Sequence, residues 1–310
     1  GTWLENRKGV APAANIINVR VLDDQGVGTS AQVINAIDWL YAKRAQYNIR
    51  VVNMSLGTPA VETWRNDPLC RAVRKLTEAG IVVVAAAGNN GKTASGQKIY
   101  GAIHAPGNDP SVITVGAANT FGTDARNDDG VTTYSSRGPT RSYYTDAEGV
   151  KRFDHLIKPD LVAPGNLLTG AYSRGSRIGR ENPELRIDNG ANVSRQLMYM
   201  SGTSMATPIV SGTAALLLQA NPKLTPNMVK MVLQYSAQRL AGFNTLEQGA
   251  GLLNAEGAVR LALAIKQDLP NPTPQGTTMM DADSVPEHVS TIAGTRFQWS
   301  GGILPNYAAL

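Results

Sequence analysis

Cysteine is nearly absent: Cys70 is the only one in 310 residues. One thiol cannot build an internal disulfide framework, and no Cys or His spacing fits a zinc site. Cys70 falls in an apparent amphipathic helix and reads as a small core residue, not a catalytic thiol. Histidine is scarce too, limited to His104, His155 and His288. No apolar run is long enough to cross a membrane, and no internal repeat is visible. The chain carries no signal peptide and opens on Gly1 rather than Met, so it is expected to be part of a longer product. Lys and Arg number 29 against 24 Asp and Glu, a net charge of +5. They form no run, so a solvated basic surface is expected and nucleic-acid binding is not supported.

What remains is an ordinary globular balance, 42% hydrophobic and 17% charged, long enough for one large α/β domain. Asn15–Leu22, rich in Ile and Val, is expected to be a strand. Ser30 is expected to cap a helix with Val33, Ile34, Ile37, Leu40 and Tyr41 on one face. Val51–Met54 reads as a short strand, and Asp67-Pro68 as the cap and first turn of a helix ending at Gly80. Ile81–Ala87 and Val112–Val115 are continuous apolar runs, as strands buried on both faces must be. Thr225-Pro226 and Asn254 each open a later helix. The alternation predicts a three-layer α/β sandwich with a mainly parallel, doubly wound sheet. Residues 1–266 form this unit. Residues 267–310 begin with the Pro-rich stretch Asp268–Gly276 and read as a linker and C-terminal extension lying as a strap on the domain. Thr140–Ile157 and Gly175–Arg195 read as polar surface insertions.

Sites in such sheets form at the carboxyl ends of strands. Ser55-Leu56-Gly57 ends one strand, where extended backbone can pair with a peptide; alone, the tripeptide fits a plain turn as well. Ala85-Ala86-Ala87-Gly88-Asn89-Asn90-Gly91 ends another, and Asn89 there offers a neutral N–H donor or simply an Asx turn. Gly202-Thr203-Ser204 is a small-residue turn before a helix over Met205–Ala220. It puts the Ser204 hydroxyl at a helix N-terminus, where unpaired N–H groups favour developing negative charge. A serine that attacks a carbonyl needs that position, though an isolated serine there would more simply cap the helix.

The whole string Gly202-Thr203-Ser204-Met205-Ala206-Thr207-Pro208 resembles the nucleophile motif of the subtilisin-like serine proteases. Ala86-Ala87-Gly88-Asn89, Ala105-Pro106-Gly107, Tyr134–Pro139 and Lys158–Gly165 resemble further strings of that family, so the likeness runs from about Gly9 to Ile265. It implies a serine endopeptidase in which Ser204 is the nucleophile and Asn89 the side-chain donor to the oxyanion. It implies a substrate cleft walled by Ser55, Leu56, Gly57, Ala86, Ala87, Gly88 and the segment His104-Ala105-Pro106, with Asn90 at the rim. Small residues and backbone there leave room for a bulky apolar side chain before the scissile bond. The family's Asp-Ser/Thr-Gly and His-Gly-Thr-His-Val-Ala-Gly motifs do not occur. None of the three histidines has the small-residue helical context of the family's base. The triad Asp and His are therefore expected from an upstream fragment of the same protein, since Gly9-Val10-Ala11-Pro12 resembles the stretch that follows the histidine helix.

The resemblance further implies protein or peptide substrates, a propeptide before maturation, secretion, and no cofactor beyond a structural calcium ion. Asp124, Asn127, Asp128 and Asp129 form an oxygen-rich loop that is a candidate for that ion. Trp3–Lys8 is too short for the family's looped calcium site. No nucleic-acid or membrane partner is expected. The alternative is a catalytically incomplete homologue that only binds peptides. An α/β-hydrolase esterase is excluded, because Gly202-Thr203-Ser204-Met205-Ala206 is not Gly-x-Ser-x-Gly.

Overall fold

Four apolar segments line up in parallel in a computed structural model, which describes residues 8–187, 196–270 and 272–304. The start of Trp3–Lys8, Asn271 and the end of Gly175–Arg195 lie outside the described residues. The strands are β1 (Val51–Met54), β2 (Val82–Ala86), β3 (Ile113–Asn119) and β5 (Leu161–Pro164). They pair in the order β1-β2-β3-β5, with Val51 opposite Val82, Val84 opposite Ile113 and Val115 opposite Leu161. The two-residue β4 (Gly130–Val131) runs antiparallel at the end of β3. Successive side chains of a strand leave opposite faces. Val82 and Val84 accordingly join one core, while Val83 and Ala85 join another.

The second core is closed by α1 (Ser30–Lys43) and α2 (Pro68–Glu78) through Val33, Ile37, Leu69, Val73 and Leu76. The first is closed by α3 (Thr203–Ala220), α4 (Pro226–Ser236) and α5 (Ala255–Ala264). This is the predicted three-layer α/β sandwich.

The caps follow local chemistry. Thr29, one residue before the expected Ser30, caps α1 in a reciprocal box with Gln32. Asp67 accepts from the N–H groups of Leu69 and Cys70, 2.8 and 2.9 Å away. Asp67→Ala should cost about 1 kcal/mol, read as a lower urea midpoint with an unchanged m value.

Asn15–Leu22 is not the expected strand. It pairs with no strand among the described residues, and Ile16 is 88% exposed. Apolar composition gives a strand only where a neighbouring edge accepts its hydrogen bonds. Among the described residues β1 is likewise bonded on one side only, by β2.

The expectation that the basic residues lie on a solvated surface also needs correction. Arg137, Lys158 and Lys230 are buried. The ammonium of Lys158 donates to Val112 O, Thr114 Oγ1 and Asp160 Oδ2 at 2.8–2.9 Å. That of Lys230 lies 3.0 Å from Asp160 Oδ1 and donates to Pro110 O.

Thr140–Ile157 is more deeply anchored than a surface insertion. Its hairpin, Tyr143–Thr145 against Lys151–Phe153, is tied down by the buried Asp154 carboxylate. That carboxylate accepts from Thr63 Oγ1, Ser142 Oγ and the Trp64 N–H. In the C-terminal extension, Val289–Ile292 and Thr295–Gln298 form a hairpin, and Trp299 packs into the main core. Ser290 Oγ receives hydrogen bonds from Trp299 Nε1 and Asn254 Nδ2, fastening the strap to the start of α5. Cys70 is fully buried beside Asn108, and burial pushes its thiol pKa up, away from thiolate chemistry.

Candidate active site

The helix that carries Ser204 starts two residues earlier than expected, at Thr203, so Ser204 is its second residue. Gly202 precedes it with φ 152°, a conformation that side-chain-bearing residues rarely adopt. The Gly202 N–H is held by Gly165 O at 2.8 Å, and Tyr134 Oη donates to the same carbonyl. The Tyr134–Pro139 and Lys158–Gly165 strings thus fix where α3 begins. On the other side, Ser55 Oγ donates to Ser204 O at 2.7 Å and Ser204 Oγ donates to Ser55 O at 3.2 Å. The serine is pinned between a strand end and a helix start, with its N–H among the first-turn donors that have no helical acceptor.

Asn89 is oriented by Thr203. Its Oδ1 accepts from Thr203 N at 2.9 Å and from Thr203 Oγ1 at 3.0 Å. Thr203 Oγ1 in turn accepts from the Gly88 N–H at 3.2 Å. With its oxygen so engaged, the amide turns Nδ2 outward. A Cβ placed on Gly202 would lie 3.4 Å from Asn89 Nδ2 and 3.7 Å from Ser204 N. The two N–H donors therefore border one space, kept open by a glycine. Paired donors on one small volume are what an oxyanion requires.

A cavity of about 250 Å³ adjoins this space, lined by Leu56, Gly57, Ala86, Gly88, Asn89, Asn90, His104, Thr203 and Ser204. Of the residues proposed from sequence, Ser55, Ala87, Ala105 and Pro106 do not line it. Ser55 braces Ser204, and Ala87 and Ala105 are fully buried behind the wall. Ala87 O holds the His104 N–H at 3.0 Å, and Ala105 pairs with Thr58. The wall segment His104-Ala105-Pro106 thus faces the cavity through His104 alone. The room expected there is partly filled by an imidazole. A Cβ on Gly88 would lie 2.9 Å from His104 Cγ and Cδ2, and one on Gly57 would lie 3.1 Å from His104 Cβ. Burial lowers the His104 pKa. Thr203 and His104 are the contributions that motif matching underweighted. The paired glycines 57 and 88 were the available signal, since each makes room for a neighbour.

No imidazole is hydrogen-bonded to Ser204 among the described residues. His155 stacks on Phe153 in the tethered hairpin. His288 stacks on Trp299, with its ring 3.3 Å from Tyr235 Oη. Two carboxylates of the oxygen-rich loop face neighbours within the protein. Asp128 accepts from Thr123 Oγ1. Asp129 is turned inward, 3.7 Å from Arg126, and burial raises its pKa. Among the described residues no three His, Cys, Asp or Glu side chains converge as a metal site.

Comparison with known proteins shows a family likeness over most of the chain. The model of the subtilase family matches residues 2–258. Serine protease AprX of Bacillus subtilis is 40% identical over 261 residues, 81% of this chain and 53% of its own. Subtilisin E from the same organism is 32% identical over 252 residues, 81% of this chain and 51% of its own. The chain thus spans about half the length of these curated relatives. Among solved structures, the patellamide maturation protease PatA superposes with a TM-score of 0.58 at 26% identity, covering 82% of this chain and 76% of its own.

Proposed function

We propose that this chain, which belongs to the subtilase family, carries the nucleophile, oxyanion donors and substrate cleft of a serine endopeptidase acting on proteins or peptides. One observation carries the proposal: Asn89 Nδ2 and the Ser204 N–H border one space, and both residues line the same cavity. Ser204 Oγ attacks the scissile carbonyl, and the two donors hold the oxygen as it gains charge. The carbon–nitrogen bond breaks to leave an acyl-enzyme, which water hydrolyses. The Ser204 proton must pass to a base and on to the leaving amine. We assign that base and its orienting carboxylate to a His and an Asp from outside these 310 residues, in an upstream fragment of the same protein. Among the described residues Ser204 bonds no imidazole and β1 is paired on one side only, and both support this assignment. A propeptide before maturation and secretion complete the proposal. Specificity is broad, with bulky apolar residues favoured before the scissile bond by the size and walls of the cavity.

The test is covalent labelling. The full protein treated with a fluorophosphonate should be modified at Ser204, and Ser204→Ala should remove the label. Residues 1–310 alone should label far more slowly, and adding the upstream fragment should restore the rate and raise the melting temperature together. A folded full protein that stays unlabelled would overturn the proposal. It would favour the peptide-binding alternative, in which the Ser204 hydroxyl keeps its bond to Ser55 O.

A further inference from the structure

The cavity beside Ser204 is lined by groups that do not titrate near neutral pH except at one point, the His104 imidazole. The ring stands against two glycines whose missing side chains make its space, Gly57 on one wall and Gly88 on the other. It therefore bridges the two walls rather than hanging from one. His104 is half-buried, and among the described residues its ring nitrogens make no hydrogen bond. A neutral imidazole has one donor and one acceptor nitrogen. Leaving both unmatched at a cavity wall suits a ligand that supplies the partner.

We propose that His104 is the specificity-determining residue of this pocket and that it reads two classes of side chain before the scissile bond. As neutral imidazole it offers a flat ring to bulky apolar side chains. As imidazolium it selects side chains ending in a carboxylate. This rests on the cavity being a peptidase substrate pocket.

The surroundings leave that switch to the substrate. The groups facing the ring are the Gly57 and Gly88 backbones and the Ser136 hydroxyl, with Asn89, Asn90, Thr203 and Ser204 around the cavity. None of them carries charge in the neutral range. Burial is the one cause of the lowered His104 pKa, and no charged neighbour contributes. The free pocket therefore holds the ring neutral at neutral pH. A bound carboxylate would replace missing solvation with an ionic hydrogen bond and raise the pKa by linkage.

Two measurements on the full protein test this. The first compares peptides identical except for Glu or Phe before the scissile bond. Both require the same base and nucleophile, so the ratio of their kcat/KM values cancels that shared titration. Between pH 8 and 5.5, where Glu stays ionised, the Glu/Phe ratio should rise about tenfold or more. In His104→Gln, which keeps a polar group but cannot titrate, the ratio should be flat.

The second measurement follows the His104 Cε1–H resonance by NMR. The His104→Gln variant identifies the signal. The N-acetyl peptide amide ending in Glu should raise the His104 pKa, and the one ending in Phe should not. A flat ratio in the unmodified protein, an equal slope in His104→Gln, or an unmoved resonance would each overturn the proposal. If the resonance shifts but neither peptide is cut and Ser204 resists labelling, the pocket stands and the peptidase reading falls.

Discussion

Replacing Asn89 by alanine should lower kcat for peptide hydrolysis by about 10²–10³-fold with little change in KM, a magnitude established in this family rather than derived from this chain. The amide cannot play the opposite part. Were it flipped, its NH₂ would face the Thr203 N–H, donor against donor, and both bonds to Oδ1 would be lost. The network therefore dictates that Nδ2 faces the space shared with Ser204 N. Alanine also removes the acceptor for Thr203, so a loss of about 1 kcal/mol in stability should accompany it. Asn89→Asp separates the two roles. Its carboxylate keeps the acceptor for Thr203 but puts negative charge where the oxyanion forms. The aspartate variant should match the parent in melting temperature and fall below alanine in kcat. Parental turnover in Asn89→Asp would refute the donor role.

The placement of Ser204 at a helix start and of Asn89 at a strand end was legible in the sequence because both are set locally. A glycine before a serine at a helix start and an asparagine after a small-residue strand each carry their geometry within a few positions. The parallel strands were legible for the same reason, as unalternated apolar runs between helices with recognisable caps. Features that depend on partners distant in sequence were not. Asn15–Leu22 has strand composition, but composition does not show whether an edge waits to receive it. His104 was placed at the pocket wall, yet its role as the group that fills the pocket needs Gly57 and Gly88, on two other strand ends, in view together. Asp154 looked like a polar insertion residue, although Thr63, Trp64 and Ser142 all donate to it and hold it inside. The buried cations are the plainest case. Lys158 and Lys230 are separated by 72 positions and resemble any surface lysine until Asp160 is seen between them.

That carboxylate sets the largest stability effect to be expected from a single change. Asp160 is fully buried. It accepts from Lys158, the Thr114 N–H and Gln234 Nε2, and it is ion-paired with Lys230. Burial works against its ionisation, but the two ammonium groups outweigh burial and hold its carboxyl below the ordinary range. Asp160→Asn would leave two lysine side chains buried without their counterion, and Lys158, whose pKa burial already lowers to about 7, would give up its proton. The cost should be about 3–5 kcal/mol. Lys158→Met should cost less, because Lys230 still neutralises Asp160. The order, more than either value, tests the arrangement.

The pH dependence follows from the direction of the shift. A carboxyl with a depressed folded-state pKa contributes stability that is complete above its unfolded value, near 3.8, and is lost as pH falls through the folded one. The gap between the parent and Asp160→Asn in urea melts should thus persist down to about pH 4 and shrink below it. An Asp160→Asn variant within 1 kcal/mol of the parent at pH 7 would show that the network does not hold the fold. The same network reaches the pocket, because Thr114 Oγ1 donates to Gly107 O as well as receiving from Lys158. That oxygen lies in the turn behind His104. Loss of Asp160 should therefore broaden selection before the scissile bond as well as weaken the fold, and Lys158→Met should show the same two effects in smaller measure.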